Sequence, residues 1–334
     1  MPLTVAQLSE SALLERILPR LQSPHGDPSG VLLGPGDDAA LVAAPDGRVL
    51  LSVDTQVQDM DFRLQWPNGY RTSGFDVGWK AAAQNLSDIN AMGGDATSLV
   101  VSLTLPGTTA VGWVEDLADG LTAAIRELGA SACSVVGGDL GRGTEISVTA
   151  AVTGSLRGRS PVVRSGARPG DVVVLAGTVG RAAAGLALLE SSHGYGSLGA
   201  DLLRLVECQC RPRPPLQAGP AAAQAGATAM MDISDGLVRD AHRLASASSV
   251  RVDFHPEALK SLSSPLVAAA GLLDADPLEW VLGGGEDHGL LATVNPNVMP
   301  LAGFTAVGSI KAGHAEVTVG SEPPANVGWD HFAD

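Results

Sequence analysis

The sequence predicts a two-domain protein of the α/β (α+β) class. Three observations support this: a length of 334 residues, strand-like and helix-like stretches in alternation, and a Gly-, Pro- and Arg-rich break near the middle. A chain of this length exceeds one ordinary hydrophobic core. Residues 154–170, GSLRGRSPVVRSGARPG, separate two stretches of similar size, so the domains are placed at 1–154 and 155–334. Alternating strands and helices pack as sheets covered by helices.

In the first half, Leu14, Ile17, Leu18 and Leu21 keep helical spacing, and an amphipathic helix is expected over 9–21. Val31 to Leu33 reads as a short strand entering GPGDDAALV, and Val49 to Val53 as a second strand whose end delivers Asp54. Phe75, Trp79, Ala82, Leu86 and Ile89 define the next helix, stopped by Gly93-Gly94. Leu99 to Leu105 reads as a strand, Trp113 to Leu128 as a helix, and Cys133 to Val136 as a strand ending in GGD. Residues 145–153 alternate Ile146, Val148, Ala150 and Val152 with Ser147, Thr149 and Thr153, the pattern of a half-buried strand.

The second half restarts with a strand over Val172 to Ala176, a turn at Gly177 to Gly180, and a helix over Arg181 to Glu190. Val172 to Leu189 holds a single charge, Arg181, but its central glycines make it strand, turn and helix rather than a membrane span. Ala229 to Met231 is a strand leading into DISDGL, and Leu237, Ala241, Leu244 and Ala245 form the helix that follows. Ser234 or Asp235 is its expected N-cap.

A net charge of −15 argues against a nucleic-acid or anionic-membrane partner, because either would be repelled. Three cysteines, Cys133, Cys208 and Cys210, form no CxxC pair and are expected to be reduced. Glu10, Glu15 and Arg16 interrupt the first apolar pattern, so it lacks the unbroken stretch of a secretory signal and a cytoplasmic location is expected.

Acidic residues recur beside glycine or serine at turn signals: Asp37-Asp38, Asp54, Asp88, Asp139, Asp232, Asp235 and Glu286-Asp287. Hard oxygen donors on several segments suit Mg²⁺, which keeps part of its water and bridges to substrate phosphates. GxxxxGK[ST] is absent, and none of the three lysines, Lys80, Lys260 and Lys311, follows a phosphate loop. Neutralising a nucleotide's phosphates then falls to carboxylate-held metal, with arginines of the 154–170 segment as either a phosphate clamp or a solvated face. No histidine pairs recognisably with Ser or Cys for nucleophilic catalysis. Asp88 falls near a helix C-terminus, where the dipole disfavours a carboxylate by about 0.3–1 kcal/mol. A bound cation would reverse that sign, whereas a solvated Asp beside Asn85 would simply tolerate it.

In order and spacing, GPGDDAAL, SVDT, NLSDINAMGGDA, GGD, RSGARPGD, AGTVGRAAAGLALL, DISDGL, GGGEDH and GWDHF resemble the thiamine-monophosphate kinase family. That family belongs to the superfamily that includes aminoimidazole ribonucleotide synthetase. The resemblance implies that superfamily's two-domain fold and ATP-dependent phosphorylation of thiamine monophosphate to thiamine diphosphate. It also implies a homodimer joined through the N-terminal sheets. Matching positions imply Asp38, Ser52, Asp54, Asp88, Asp139, Asp232 and Asp235 as ligands of several Mg²⁺ ions, with Asp54, Asp88, Asp139 and Asp232 central to catalysis. Gly138, Asp139, Arg164 and Ser234 match ATP contacts, and Glu286 and Trp329 match contacts to the thiamine substrate, whose thiazolium cation suits a carboxylate and an aromatic face.

The sequence departs from the family at Asp61, where many members carry a substrate-touching His, and at His288, Leu140 and Val53, where Tyr, Thr and Thr are frequent. An anion at 61 is physically acceptable beside a cationic substrate. Competing superfamily activities lack their residues: the first Cys is Cys133, the first Lys is Lys80, SVDTQV replaces a GVGTK-like block, and the chain ends DHFAD without a Cys. A non-catalytic nucleotide or thiamine-phosphate sensor is the reading from another class, set against it by the full set of carboxylates.

Overall fold

The computed structural model describes residues 3–21, 30–33, 40–324, 326 and 328. Their backbone divides into two compact units. One comprises the described residues of Met1–Trp66, Tyr70–Ile89 and Gly94–Gly158; the other comprises those of Pro67–Gly69, Asn90–Gly93 and Arg159–Asp334.

The first unit runs α1 (Glu10–Ile17), β1 (Val31–Leu33), β2 (Leu41–Val42), β3 (Leu50–Val57), α2 (Gly74–Ala91), β4 (Asp95–Leu105), α3 (Val111–Glu127), β5 (Ser134–Arg142) and β6 (Ser147–Ser155), with the last two residues of α2 counted in the second unit. The helix expected over 9–21 ends at Ile17 and continues as a 3₁₀ segment over Leu18–Leu21, where Pro19 removes a backbone donor. β1 and β2 pair with each other, and the main sheet has the order β3-β6-β4-β5. Along β3, buried or half-buried residues alternate with exposed ones, so this sheet has one covered face and one open face. Ser52, Asp54 and Gln56 share the covered side, and Gln56 Nε2 donates to Gln84 of α2 at 2.9 Å. Leu51, Val53 and Val100 lie on the open side, exposed by 74, 59 and 41%.

Helices α2 and α3 approach backbone to backbone. A Cβ on Gly78 would lie 2.0 Å from the Leu117 carbonyl oxygen, and one on Gly120 would lie 2.2 Å from that of Phe75. Only glycine permits so close a crossing.

The second unit continues with β7 (Val172–Ala176), α4 (Arg181–Glu190), α5 (Ala200–Cys210), α6 (Ala218–Gln224), β8 (Ala229–Ile233), α7 (Leu237–Ser248), β9 (Arg251–Phe254), α8 (Pro256–Ser263), α9 (Val267–Leu273), α10 (Pro277–Gly283), β10 (Gly289–Val294), β11 (Phe304–Lys311) and β12 (Glu316–Val319). Its strands form a sheet of order β12-β9-β11-β7-β10-β8. VVVLA, AMMDI and GLLATV are almost wholly buried, as continuous apolar runs require when both faces of a sheet are covered. Val174, Ala176, Met230, Leu290 and Ala292 pack with Ala222 of α6 in one of the resulting cores. No helix among the described residues is long and apolar enough to cross a membrane.

Candidate active site

In the first unit the structure joins two sequence-distant candidates. Asp88 lies in the last turn of α2, and Ser52 Oγ on β3 donates to its Oδ2 at 2.5 Å. The fully buried Asn85, whose side chain donates to the Ala81 carbonyl at 2.9 Å, does not make Asp88 part of a solvated polar face. Asp54 was expected at a strand end and instead sits inside β3, opposite Ala150 of β6. Asp139 likewise lies within β5, opposite Ser102 of β4. Both strands run past their acids because partner strands offer uninterrupted pairing. In GGD the glycine serves packing more than turning: a Cβ on Gly138 would meet the Val101 carbonyl oxygen at 2.1 Å.

The register separates Asp54 from Asp139. Asp54's row crosses the sheet through Ala150 and Val101 to Gly138, while Asp139's row runs through Ser102 and Thr149 to Thr55. Successive residues face opposite sides of a sheet. Asp139 therefore belongs to the open face and Asp54 to the covered one, about 14 Å apart across three strand spacings. Asp61 closes the turn after β3, its Oδ2 accepting the Val57 N–H at 2.7 Å.

In the second unit the remaining candidates gather at the ends of β8 and β10. Asp232 is nearly buried at the end of β8, with Oδ2 3.3 Å from His288 Nδ1. Ser234 and Asp235 follow, but neither caps α7: the N-cap is Gly236, without a side-chain cap bond. Their own N–H groups instead donate to Asp240 Oδ2 at 3.0 and 2.9 Å. Asp240 is wholly buried, and Arg243 NH1 binds both Asp240 Oδ1 and Asp235 Oδ2 at 2.6 Å. Burial pushes the Asp240 carboxyl up to about 6, the Asp235 N–H and Arg243 opposing and the charges of Asp235 and Asp232 reinforcing the rise.

The GGGEDH segment lies beside this turn. The Glu286 N–H donates to the Ser234 carbonyl at 2.9 Å and that of His288 to Ile233 at 3.1 Å. Glu286 Oε2 accepts from Gln209 Nε2 of α5 at 2.5 Å. Asp287, expected among the cation-holding acids, is an anchor: it accepts Thr178 Oγ1 at 2.7 Å and the Ala182 N–H at 3.0 Å, in the first turn of α4. Burial raises its pKa against those two hydrogen bonds. Arg164 is exposed, and its carbonyl accepts Ser248 Oγ at 2.9 Å.

Asp38 and Trp329 lie outside the described residues. Among the described residues no three His, Cys, Asp or Glu side chains converge as a metal-holding group. The cysteines are free, and burial pushes Cys133 up to about 12 and Cys208 to about 11, so neither is a thiolate at neutral pH. Sequence reasoning missed Asp240, Arg243 and Gln209. For Asp240 a local signal existed, a further carboxylate five residues after Asp235 in DISDGLVRD.

Residues 36–156 match the N-terminal domain of AIR synthase related proteins, and residues 168–299 match the C-terminal domain. A thiamine-monophosphate kinase of Mycobacterium tuberculosis is 43% identical over 333 residues, covering 99% of this chain and 94% of that protein. The crystal structure of a thiamine-monophosphate kinase from Stenotrophomonas maltophilia K279a superposes with a TM-score of 0.80 at 30% identity, covering 95% of this chain and 98% of that one. AaThiL complexed with AMPPCP and TMP superposes with a TM-score of 0.75 at 31% identity, covering 98% of each chain. Two matched domains, identity along the whole length and a shared fold lead to one conclusion: the chain belongs to the thiamine-monophosphate kinase family of AIR synthase related proteins.

Proposed function

We propose that this chain is an enzyme that transfers the γ-phosphoryl group of ATP to the phosphate of thiamine monophosphate, giving thiamine diphosphate and ADP. The observation that carries the reading is 43% identity to a thiamine-monophosphate kinase along 99% of the chain. Similarity to AaThiL complexed with AMPPCP and TMP supports the pair of ligands. The acceptor phosphate is already ionised at neutral pH, so in-line attack on the γ-phosphorus needs no strong base. The β,γ-bridging oxygen leaves with ADP.

The donor set fits Mg²⁺, being hard oxygen throughout. Ser52, Asp54, Asp88 and Asp139 in residues 1–154, with Asp38, and Asp232 and Asp235 in residues 155–334 would hold several such ions. Bound magnesium supplies the charge neutralisation that a chain with three lysines lacks. Gly138, Asp139, Arg164 and Ser234 are assigned to ATP, and Asp61, Glu286 and Trp329 to the thiamine moiety. Asp54, Asp88, Asp139 and Asp232 are assigned the direct role in transfer. Gln209 supports the assignment of Glu286 by fixing one of its oxygens.

The reading includes a homodimer joined through the N-terminal sheet, supported by Leu51, Val53 and Val100 on its open face. Asp139 shares that face, and a second copy seated there would meet it. The reading also places the enzyme in the cytoplasm, consistent with its free cysteines.

The test incubates the purified chain with ATP, MgCl₂ and thiamine monophosphate and measures thiamine diphosphate by chromatography. Product is expected with thiamine monophosphate, none with unphosphorylated thiamine, and none in excess chelator. Failure to form thiamine diphosphate while ATP still binds would favour a non-catalytic sensor. Sedimentation of the parent and of Val53→Lys tests the dimer, which the buried charge should dissociate.

A further inference from the structure

The turn 232–236 carries three of the residues assigned above, and two of its backbone N–H groups are held from outside the turn. Asp240, wholly buried one turn into α7, gives one carboxylate oxygen to the N–H groups of both Ser234 and Asp235, at 3.0 and 2.9 Å. Its other oxygen receives Arg243 NH1, which reaches Asp235 Oδ2 at the same 2.6 Å. Two donors thus aim the turn's backbone at α7, and one guanidinium fixes the direction of the Asp235 carboxylate. On the other side, the Ser234 and Ile233 carbonyls accept from Glu286 and His288. A buried carboxylate that accepts two successive backbone N–H groups of a functional turn costs desolvation. The two N–H groups precede α7, whose N-cap is Gly236, so these bonds fix the turn rather than cap the helix.

From this geometry we propose that Asp240 and Arg243 are positioning residues for the phosphoryl-transfer site. They hold the Asp232–Asp235 turn so that its two carboxylates meet a divalent cation in a fixed orientation. Neither residue touches ATP, thiamine monophosphate or the reacting atoms. The inference rests on the assignment of Asp232 and Asp235 as magnesium ligands.

Outer residues that orient metal ligands typically contribute about 10–100-fold to metal affinity or activity. Asp240→Asn keeps the volume and one acceptor but loses the charge that Arg243 meets. The expected result is a magnesium concentration for half-maximal turnover raised about tenfold or more, with KM for thiamine monophosphate unchanged. A second readout needs no turnover: hydrogen exchange at the Ser234 and Asp235 amides should accelerate in Asp240→Asn without metal or nucleotide. Arg243 is partly exposed and tolerates substitution, so Arg243→Met provides a second variant should Asp240→Asn fail to fold, and Arg243→Lys should restore part of the magnesium response. Asp232→Asn is the control. If it raises the magnesium requirement while Asp240→Asn and Arg243→Met leave both the requirement and the two amides unchanged, the positioning role is wrong and the metal assignment stands. If Asp232→Asn itself leaves the requirement unchanged, the metal assignment falls and the inference falls with it.

Discussion

Asp88→Asn separates a ligand from a structural acid by whether turnover is lost without a matching loss of stability. In the parent, the Asp88 carboxylate occupies the last turn of α2, where the helix dipole disfavours negative charge by about 0.3–1 kcal/mol. It is partly compensated by Ser52 Oγ at 2.5 Å, a bond to a charged acceptor. An amide relieves the dipole penalty and still accepts from Ser52, but it loses charge assistance worth about 1 kcal/mol. These terms nearly cancel, so unfolding free energy should change by less than about 1 kcal/mol in either direction. Turnover should fall by about 100-fold or more, equivalent to about 2.7 kcal/mol of transition-state stabilisation. The assay pairs steady-state thiamine diphosphate formation, at saturating ATP and thiamine monophosphate, with urea unfolding of the same preparation. Asp59→Asn is the matched control, because Asp59 is exposed and at φ 66°, a conformation that asparagine adopts readily. Turnover within about threefold of the parent, or a loss of turnover matched by a loss of stability, would refute the reasoning.

Further expectations concern other residues. Asp61→Asn keeps an acceptor for the Val57 N–H, so it should raise KM for thiamine monophosphate and spare ATP; an unchanged KM would confine Asp61 to closing its turn. Trp329→Ala should raise the same KM several-fold without a comparable fall in melting temperature, and the opposite pattern would make Trp329 a packing anchor. Asp253 has its pKa lowered below 3.8: burial opposes ionisation, but Thr318 Oγ1 at 2.7 Å, the Ser321 N–H at 2.8 Å and the charges of Lys311 and Arg251 together outweigh it. Its folded pKa is depressed, so its contribution to stability is present above 3.8 and is lost as pH falls through the lower folded value. Unfolding curves of the parent and Asp253→Asn should therefore differ most at neutral pH and converge in acid; a constant difference would disprove the linkage.

The sequence made local features legible and long-range ones opaque. The glycine turn at 177–180 and the apolar run after it located α4 over Arg181–Glu190, and helical spacing located α2 around Phe75 and Trp79. Ser52 lies 36 residues from Asp88 and Asp287 lies 105 residues from Ala182, and no local rule reports such pairs. Glycine misled at Asp139 because it serves two purposes, reversal and close strand approach, and a single sequence does not separate them. At Ser234 and Asp235 the capping expectation was reasonable chemistry. It failed because the N-cap position falls one residue later, at Gly236, while Asp240 holds the Ser234 and Asp235 N–H groups from inside α7.

The backbone crossing of α2 and α3 has a consequence for any mutational survey. Gly78 precedes Asp88 by ten residues, about 15 Å along a helix that moves as a rod. An alanine at 78 or 120 would force the two backbones apart, since its Cβ would stand 2.0 or 2.2 Å from a carbonyl oxygen. The displaced rod would carry Asp88 away from Ser52. In a screen scored only by lost turnover, these two glycines would therefore group with the carboxylates although they have no side chain to offer a ligand. A site drawn from such a screen would extend a helix length beyond the chemistry.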